Sequence, residues 1–565
     1  MYLDYVVDIP DVKGKITFRT KGKARYVYYE YSREYDPSKQ YTNVKRVTIG
    51  KVLPEDENKM RPNENFRRYF PEVEQPEEKT VSCRSSCLKT GAYIIIDKAA
   101  KDLELDTKLQ DSFGAKAAGI MLDLAAYSII TEGNAAQYYP DYAYNHPLFT
   151  PDMKCYSDSF ISDFLRSIKE NQRQDFLDQW NADRCKRERI YISYDSTNKN
   201  CQAGDIVEFG AAKVDAGLPI FNYAVVYDVN NREPLMYEKY SGSINDVSQL
   251  QFMVDKIKGY GYKNIGFILD RGYFSKDNLN YMDSSGFSFI IMVKGIKDFI
   301  SSQVRKQKGT FENNWGNWIK EFEVYGKTVY TFVYASDIKK RYVHIYYSAA
   351  KAVDERARLE EKIHEMQRFM EQHEDKEYEF GPAFHKYFHM HYNKENGHFV
   401  YGEPKLPVIQ DELELCGYFA IISSEKMAAK DAINLYKSRD VSEKVFRADK
   451  SYLGNHCLRV ASEEAASNKI FIGFLALIIR CRIYTALKEK AKGLAKKPNY
   501  LTVPAAIREL EKIELIRQSN WGYRMDYAVT ATQKEILKAF NMTAANIRTQ
   551  AAAMNEYLMQ IEKEG

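Results

Sequence analysis

Two short apolar runs each end on an aspartate, and that pairing limits what the chain can fold into. Arg189-Ile-Tyr-Ile-Ser-Tyr-Asp195-Ser-Thr-Asn turns polar at its acid, and Ile265-Gly-Phe-Ile-Leu-Asp270-Arg-Gly-Tyr-Phe is capped by an acid and a glycine turn. Runs of this length and composition read as central strands whose C-terminal ends present side chains to a crevice. Taken alone, an Asp in such a place is more often a turn or N-cap residue. A third segment changes the weighting: Tyr436-Lys-Ser-Arg439-Asp-Val-Ser-Glu443-Lys-Val-Phe-Arg-Ala-Asp-Lys450, with the spacing Y-x2-R-x3-E-x6-K. At roughly 100° per residue on a helix, its Tyr, Arg, Glu and Lys fall at about 0°, −60°, −20° and −40°. A core face would carry apolar residues on that stripe, and a solvated face has no reason to sort these four onto one line. One carboxylate flanked by cations suits metal-dependent phosphoryl transfer on a polyanion: the acid holds the ion and the bases hold the phosphates.

In these segments the chain resembles the insertion-sequence DDE transposases, specifically the bacterial group defined by the Y-x2-R-x3-E-x6-K signature. The matching stretches are Tyr194–Asn198, Leu269–Phe274 followed by Gly286–Lys294, and Tyr436–Lys450. Gly242-Ser-Ile-Asn-Asp246 lies between the two aspartates, as a glycine-asparagine-acid turn does in that group. The resemblance covers residues 100–490 or so. It implies an α/β chain: a ribonuclease-H-like catalytic core with a mainly β insertion, an N-terminal β/helical DNA-binding region and a helical C-terminal region. It further implies Asp195, Asp270 and Glu443 as the catalytic, metal-binding triad, and Tyr436, Arg439 and Lys450 as contacts to element-end DNA. Three carboxylates hold two divalent ions about 4 Å apart. Hard oxygen ligands select magnesium (Mg2+), with manganese as a substitute. The expected activity is cleavage at the ends of a mobile element, followed by attack of the freed 3′-hydroxyl on target DNA. The expected partners are double-stranded DNA and a second copy of the chain. Two alternatives share these residues: a nuclease of the same fold without strand transfer, and a non-catalytic DNA-binding relic.

Charge is placed unevenly. The net charge is only +4 over 565 residues, yet Lys13–Lys51 holds eleven Lys and Arg against three acids. Tyr26, Tyr28, Tyr29, Tyr31, Tyr35 and Tyr41 interleave with these cations. Such a mixture suits phosphate contacts with stacking or groove packing, or else a solvated hairpin surface. Eight cysteines in a chain this long make no disulfide scaffold. The Cys83/Cys87 pair has no second pair at zinc-site spacing, so reduced thiols of a bacterial cytoplasmic, nucleoid-associated protein are expected. The acidic start Met-Tyr-Leu-Asp opens no apolar leader. Ile470–Ile479 is too short to span a bilayer and reads as a buried helix.

Six regions are expected: a basic β-rich segment and linker (1–100), a helical DNA-binding region (101–188), the first half of the core (189–296), the insertion (297–412), the second half of the core (413–490) and a helical C-terminal region (491–565). Within the core, strands at Ile206–Val214 and Ile220–Val229 precede a helix at Val247–Lys258. The insertion is needed because Asp270 and Glu443 stand 173 positions apart. It reads as strands near Glu321–Tyr325, Thr328–Tyr334 and Arg341–Tyr347, then a charged helix over Lys351–Lys376. Trp315 and Trp318 lie in it; either can stack on a flipped base, as an insertion tryptophan does in some relatives, or pack against the local sheet. His385, His389, His391 and His398 lack the Cys or carboxylate partners of a convincing zinc set and read as surface residues. Cys416 stands where the resembled group commonly has an acid before Gly-Tyr-Phe, a departure outside the triad.

Overall fold

The computed structural model describes residues 2–3, 5–22, 24–38, 40–73, 84–201, 207, 219–241, 246–293, 298–455, 457–494, 497–518 and 522–564. They form a mixed α/β chain of two compact units, Ala99–Gln137 with Asp158–Thr485, and Met1–Lys98 with Tyr138–Ser157 and Ala486–Gly565.

The larger unit is built on a ten-stranded sheet. Its strands are β1 (Ile190–Cys201), β2 (Ile220–Asp228), β3 (Glu233–Ser241), β4 (Ile265–Leu269), β5 (Ser288–Met292), β6 (Trp318–Ile319), β7 (Val324–Thr331), β8 (Arg341–Tyr347), β9 (Tyr418–Ser423) and β10 (Cys457–Leu458). The sheet order is β6-β7-β8-β9-β5-β4-β1-β2-β3, with β10 paired to β1. At its centre β4 runs parallel to both β1 and β5, while β1-β2-β3 form an antiparallel meander. Among its helices are α1 (Asp246–Gly259), α2 (Lys276–Ser284), α3 (Ala349–Glu371), α4 (Ala429–Lys437), α5 (Asp440–Arg447) and α6 (Glu463–Lys490).

Period-two alternation decides which face each strand residue meets. Ile192, Tyr194, Phe267 and Leu269 point to one face, against Leu250 and Met253 of α1 and Leu279 and Met282 of α2. Ile268, Ile290 and Ile421 point to the other, against Ala432, Ile433 and Tyr436 of α4. Each fully buried apolar side chain contributes about 1.5–3 kcal/mol relative to exposure. Because both faces are covered, the central strands read as near-continuous apolar runs, which is the pattern that β4 and the first half of β1 carry.

Several expectations need revision. Ile206–Val214, read as a strand, lies outside the described residues apart from residue 207, as does the turn at 242–245. The third strand of the meander is Glu233–Ser241, which the sequence does not announce. Pro234 and the charges Glu233, Glu238 and Lys239 disguise it; β3 tolerates the proline because, among the described residues, it lies at the sheet's edge and pairs with β2 alone. The strands assigned to the insertion do not make a sheet of their own. β8 pairs with β9 and β9 with β5, so β6, β7 and β8 extend the central sheet. Between β8 and β9 lies a small separate cluster, where Met366 and Met370 of α3 pack with Phe380, Phe388 and Phe399 around the hairpin Phe388–Tyr392/Phe399–Pro404.

The helical stretch between Leu105 and Ala182 is present, in pieces. The helix containing Ile470–Ile479 is 28 residues long, so by length and composition it could cross a membrane, contrary to the expectation from the apolar run alone; 83% of its most apolar window is nevertheless buried inside the protein.

In the second unit, strands Val7–Asp8, Ile16–Lys21, Ala24–Asp36, Tyr41–Val52 and Lys59–Pro62 form a five-stranded antiparallel sheet. Within the expected β-rich segment and linker, the strand Lys59–Pro62 is followed by a short helix at Glu64–Tyr69; residues 74–83, including Cys83, lie outside the described set. The C-terminal part of this unit has helices at Val503–Leu510, Ala531–Lys538 and Ala544–Glu564. It also has a hairpin, Glu514–Gln518/Gly522–Met525, that pairs with Cys87–Lys89.

Candidate active site

Register brings the two aspartates together. Leu269 stands opposite Tyr194 on adjacent parallel strands, so the next residues, Asp270 just past the end of β4 and Asp195 in the middle of β1, stand side by side. Alternation turns both toward the face that α4 covers, away from the buried Tyr194 and Leu269. Each carboxylate is fixed at its base by a main-chain donor: Ser196 N lies 2.9 Å from Asp195 Oδ1, and Arg271 N lies 2.7 Å from Asp270 Oδ1. Asp270 thereby caps the short helical turn Arg271–Tyr273.

The third motif closes over this pair. Tyr436, on the last turn of α4, donates its hydroxyl to Asp270 Oδ1 at 3.3 Å. Arg439 Nη1 lies 3.7 Å from Asp195 Oδ2, and Arg439 Nη2 lies 3.5 Å from Asp270 Oδ1. One guanidinium therefore bridges both acids. The Tyr436 phenol is pushed above its ordinary range, first by burial; Asp270 adds to this and Arg439 opposes it. It stays protonated at neutral pH and acts as a donor.

The continuous helical stripe expected from the spacing does not form. α4 ends at Lys437, Ser438 caps it, and α5 starts at Asp440, so Arg439 sits in the break between two helices. Ser438 is the local cause: its hydroxyl donates to Leu435 O and competes with continuation of the helix. Glu443 lies on α5, its side chain outside the described set. Lys450 lies in a π-helical turn, Ala448–Tyr452, and is half-buried. Tyr436 and Arg439 are thus brought onto the aspartates, while Lys450 belongs to a separate turn.

The two tryptophans divide. Trp315 is 80% exposed on a short helical turn, whereas Trp318 packs against Tyr325 with ring centroids 4.8 Å apart. His385 lies on a helix and His389 on a strand, so they are not a helical i, i+4 pair. His391 faces Glu403 at 3.3 Å and His398 faces Asp375 at 3.3 Å. Among the described residues no three His, Cys, Asp or Glu side chains gather to hold a metal ion. Asp195 and Asp270 are two adjacent carboxylates, partly open to solvent, that already hold a cationic group between them, and hard oxygen donors of this kind suit a divalent ion.

Sequence reasoning missed a cavity of about 550 Å³ lined by Arg271, Lys437, Lys351, Phe322, Tyr418 and Phe419, among others. Arg271 and Lys437 each directly follow a motif residue, and that adjacency was the available signal. On the other unit, Tyr31, Tyr35, Tyr41 and Phe18 are exposed on the antiparallel sheet, with the Arg25 guanidinium 4.5 Å from the Phe18 ring.

Residues 195–479, a little over half of the chain, match the family model described as the transposase DDE domain. No curated protein matches the sequence. Among solved structures, a piggyBac transposase synaptic complex with hairpin DNA overlaps 75% of this chain and 77% of its own, at 9% identity and a TM-score of 0.36. The Mos1 mariner paired end complex with Mn overlaps 40% and 64%, at 12% identity and a TM-score of 0.13. Overlaps this loose define no shared geometry.

Proposed function

The chain belongs to the transposase DDE domain family, and from that premise we propose that it is an insertion-sequence transposase of the bacterial Y-x2-R-x3-E-x6-K group. In this reading it cuts DNA at the ends of a mobile element and joins the freed 3′-hydroxyl to target DNA. One observation carries the reading: Asp195 and Asp270 stand in register on parallel strands, with Tyr436 and Arg439 of the third motif against them. The central order β3-β2-β1-β4-β5 supports a ribonuclease-H-like core.

Asp195, Asp270 and Glu443 would hold two magnesium ions, which supply activation of the attacking oxygen and stabilisation of the leaving one. The chain's own groups do the rest. Tyr436 orients the Asp270 carboxylate through its hydroxyl. Arg439 balances the paired acids and, when a DNA end enters, offers its guanidinium to the flanking phosphate. Lys450 neutralises a neighbouring phosphate from its turn. Trp315, being exposed, is the tryptophan able to stack on an unpaired base, whereas Trp318 is engaged by Tyr325. The N-terminal sheet, with exposed tyrosines among cations, would bind duplex DNA beyond the cut site. The six-region division, action as a homodimer on DNA, and a bacterial nucleoid location belong to the same proposal.

The test separates binding from chemistry. Asp195→Ala, Asp270→Ala and Glu443→Gln each abolish cleavage of end DNA while retaining its binding. Cleavage that survives in any one of them removes that residue from the triad.

A further inference from the structure

Four residues beyond Asp195 on the same strand, and on the same face, Lys199 is fully buried. Its ammonium lies 2.5 Å from Asp449 Oδ2, and both side chains are at most 2% exposed. The Lys199 Nζ also sits 4.0 Å from the centroid of the Tyr223 ring, on the neighbouring strand β2. Phe446 of α5 meets that same ring edge-on, at 6.4 Å. Asp449 Oδ1 accepts from Asn455 Nδ2 at 2.9 Å, and Asn455 N donates to Asp449 O at 3.1 Å, so the turn closes on itself. Asn134 Nδ2 in turn reaches Asn455 Oδ1 at 3.1 Å.

A buried ion pair is a poor device for stability alone, because the desolvation of two ions offsets their attraction and apolar side chains of equal size do as well. Its value here is directional. Asp449 is flanked by Ala448 and Lys450 in the π-helical turn. A slip of one residue in either direction would set Lys450 against the buried Lys199 or leave that ammonium facing a methyl group. Only the observed register satisfies it, and that register sends Lys450 out of the core and fixes the position of α5, with Glu443, beyond the break at Arg439.

We infer that Lys199 and Asp449 are positioning residues for the phosphoryl-transfer site: their buried pair locks the π-helical turn to the strand of Asp195, and so sets where α5 and Lys450 lie relative to that strand. This rests on the function proposed above.

The experiment uses the full chain carrying Lys199→Met with Asp449→Leu, a pair that fills the same space without charge. Three quantities are read: thermal stability, amide hydrogen exchange across residues 440–452, and single-turnover cleavage of end DNA with its half-saturating DNA concentration. The expected result is near wild-type melting, exchange through that segment faster by roughly tenfold, and a cleavage rate lower by roughly 10- to 100-fold at unchanged half-saturation. Wild-type exchange together with wild-type cleavage would overturn the inference. Should the double variant fail to fold, Lys199→Gln with Asp449→Asn, which removes both charges and keeps polar groups able to hydrogen-bond, is read the same way. If the wild-type protein cuts no end DNA, the functional reading falls, while hydrogen exchange alone still decides whether the pair holds the turn.

Discussion

Replacing Arg439 with Gln tests the geometry of the site without reference to activity. The guanidinium lies 3.7 Å from Asp195 and 3.5 Å from Asp270, whose side chains are 19% and 34% exposed. Adjacent strands stand about 4.8 Å apart, and two unit charges about 5 Å apart repel by about 3 kcal/mol at an effective dielectric of about 20. Solvent at the partly open carboxylates reduces this to about 1–2 kcal/mol. In a unit this large, each kcal/mol moves the melting temperature by about 1–2 °C. The variant is therefore expected to melt about 1–4 °C below wild type in a metal chelator. Magnesium should close that gap, since an ion at 100 times its Kd stabilises by about 2.7 kcal/mol and no longer competes with a resident cation. Its affinity for magnesium, measured by calorimetry, should exceed that of wild type. A variant equally stable in chelator, or one that binds magnesium more weakly, would refute the view that Arg439 and the ion contend for the same pair of carboxylates.

Other outcomes are expected from the same structure. Arg439→Ala weakens binding of end DNA and flattens its salt dependence by about one unit of log–log slope, read by titration at several ionic strengths. Trp315→Ala lowers affinity for a DNA end with an unpaired base by about 1–3 kcal/mol, whereas Trp318→Ala chiefly lowers thermal stability through the lost Tyr325 contact. His344 is buried between Thr328 and Ser423, and burial pushes its pKa down to about 4. The unfolded chain takes up that proton near pH 6.5 and the folded one only near 4, so stability falls as pH drops through that window, by up to about 3 kcal/mol. A His344→Gln variant should lose this portion of the acid sensitivity in melting curves between pH 4 and 7; an unchanged pH profile would show that His344 is not its source.

The parts of the fold that the sequence disclosed are those where one local signal dominates. Asp195 and Asp270 were legible because each ends an apolar run too short for a helix, and parallel pairing then set them abreast. β3 was hidden because Pro234 marks an edge strand as surely as it marks a loop, and nothing local says which. The expected stripe from Tyr436 to Lys450 gathers Tyr436 and Arg439 but does so across a break, since Ser438 bonds back to Leu435 and the chain restarts at Asp440. Side-chain capping of this kind is invisible to a periodicity argument, which scores only polarity. β7 and β8 look like strands in isolation; that they extend the central sheet depends on the pairing of β8 with β9, more than seventy residues away. The Lys199–Asp449 pair was illegible for the same reason, as each residue taken alone reads as a surface charge.

The central claim is cleavage followed by joining, and one assay addresses both. A plasmid carrying the DNA that flanks this reading frame is incubated with the purified protein and magnesium, beside Glu443→Gln, and every new 3′-end and joint is mapped. The account predicts cuts at the element's ends together with joined products, all absent in the variant. Binding without cuts in the wild-type protein, or cuts that Glu443→Gln still makes, would contradict it.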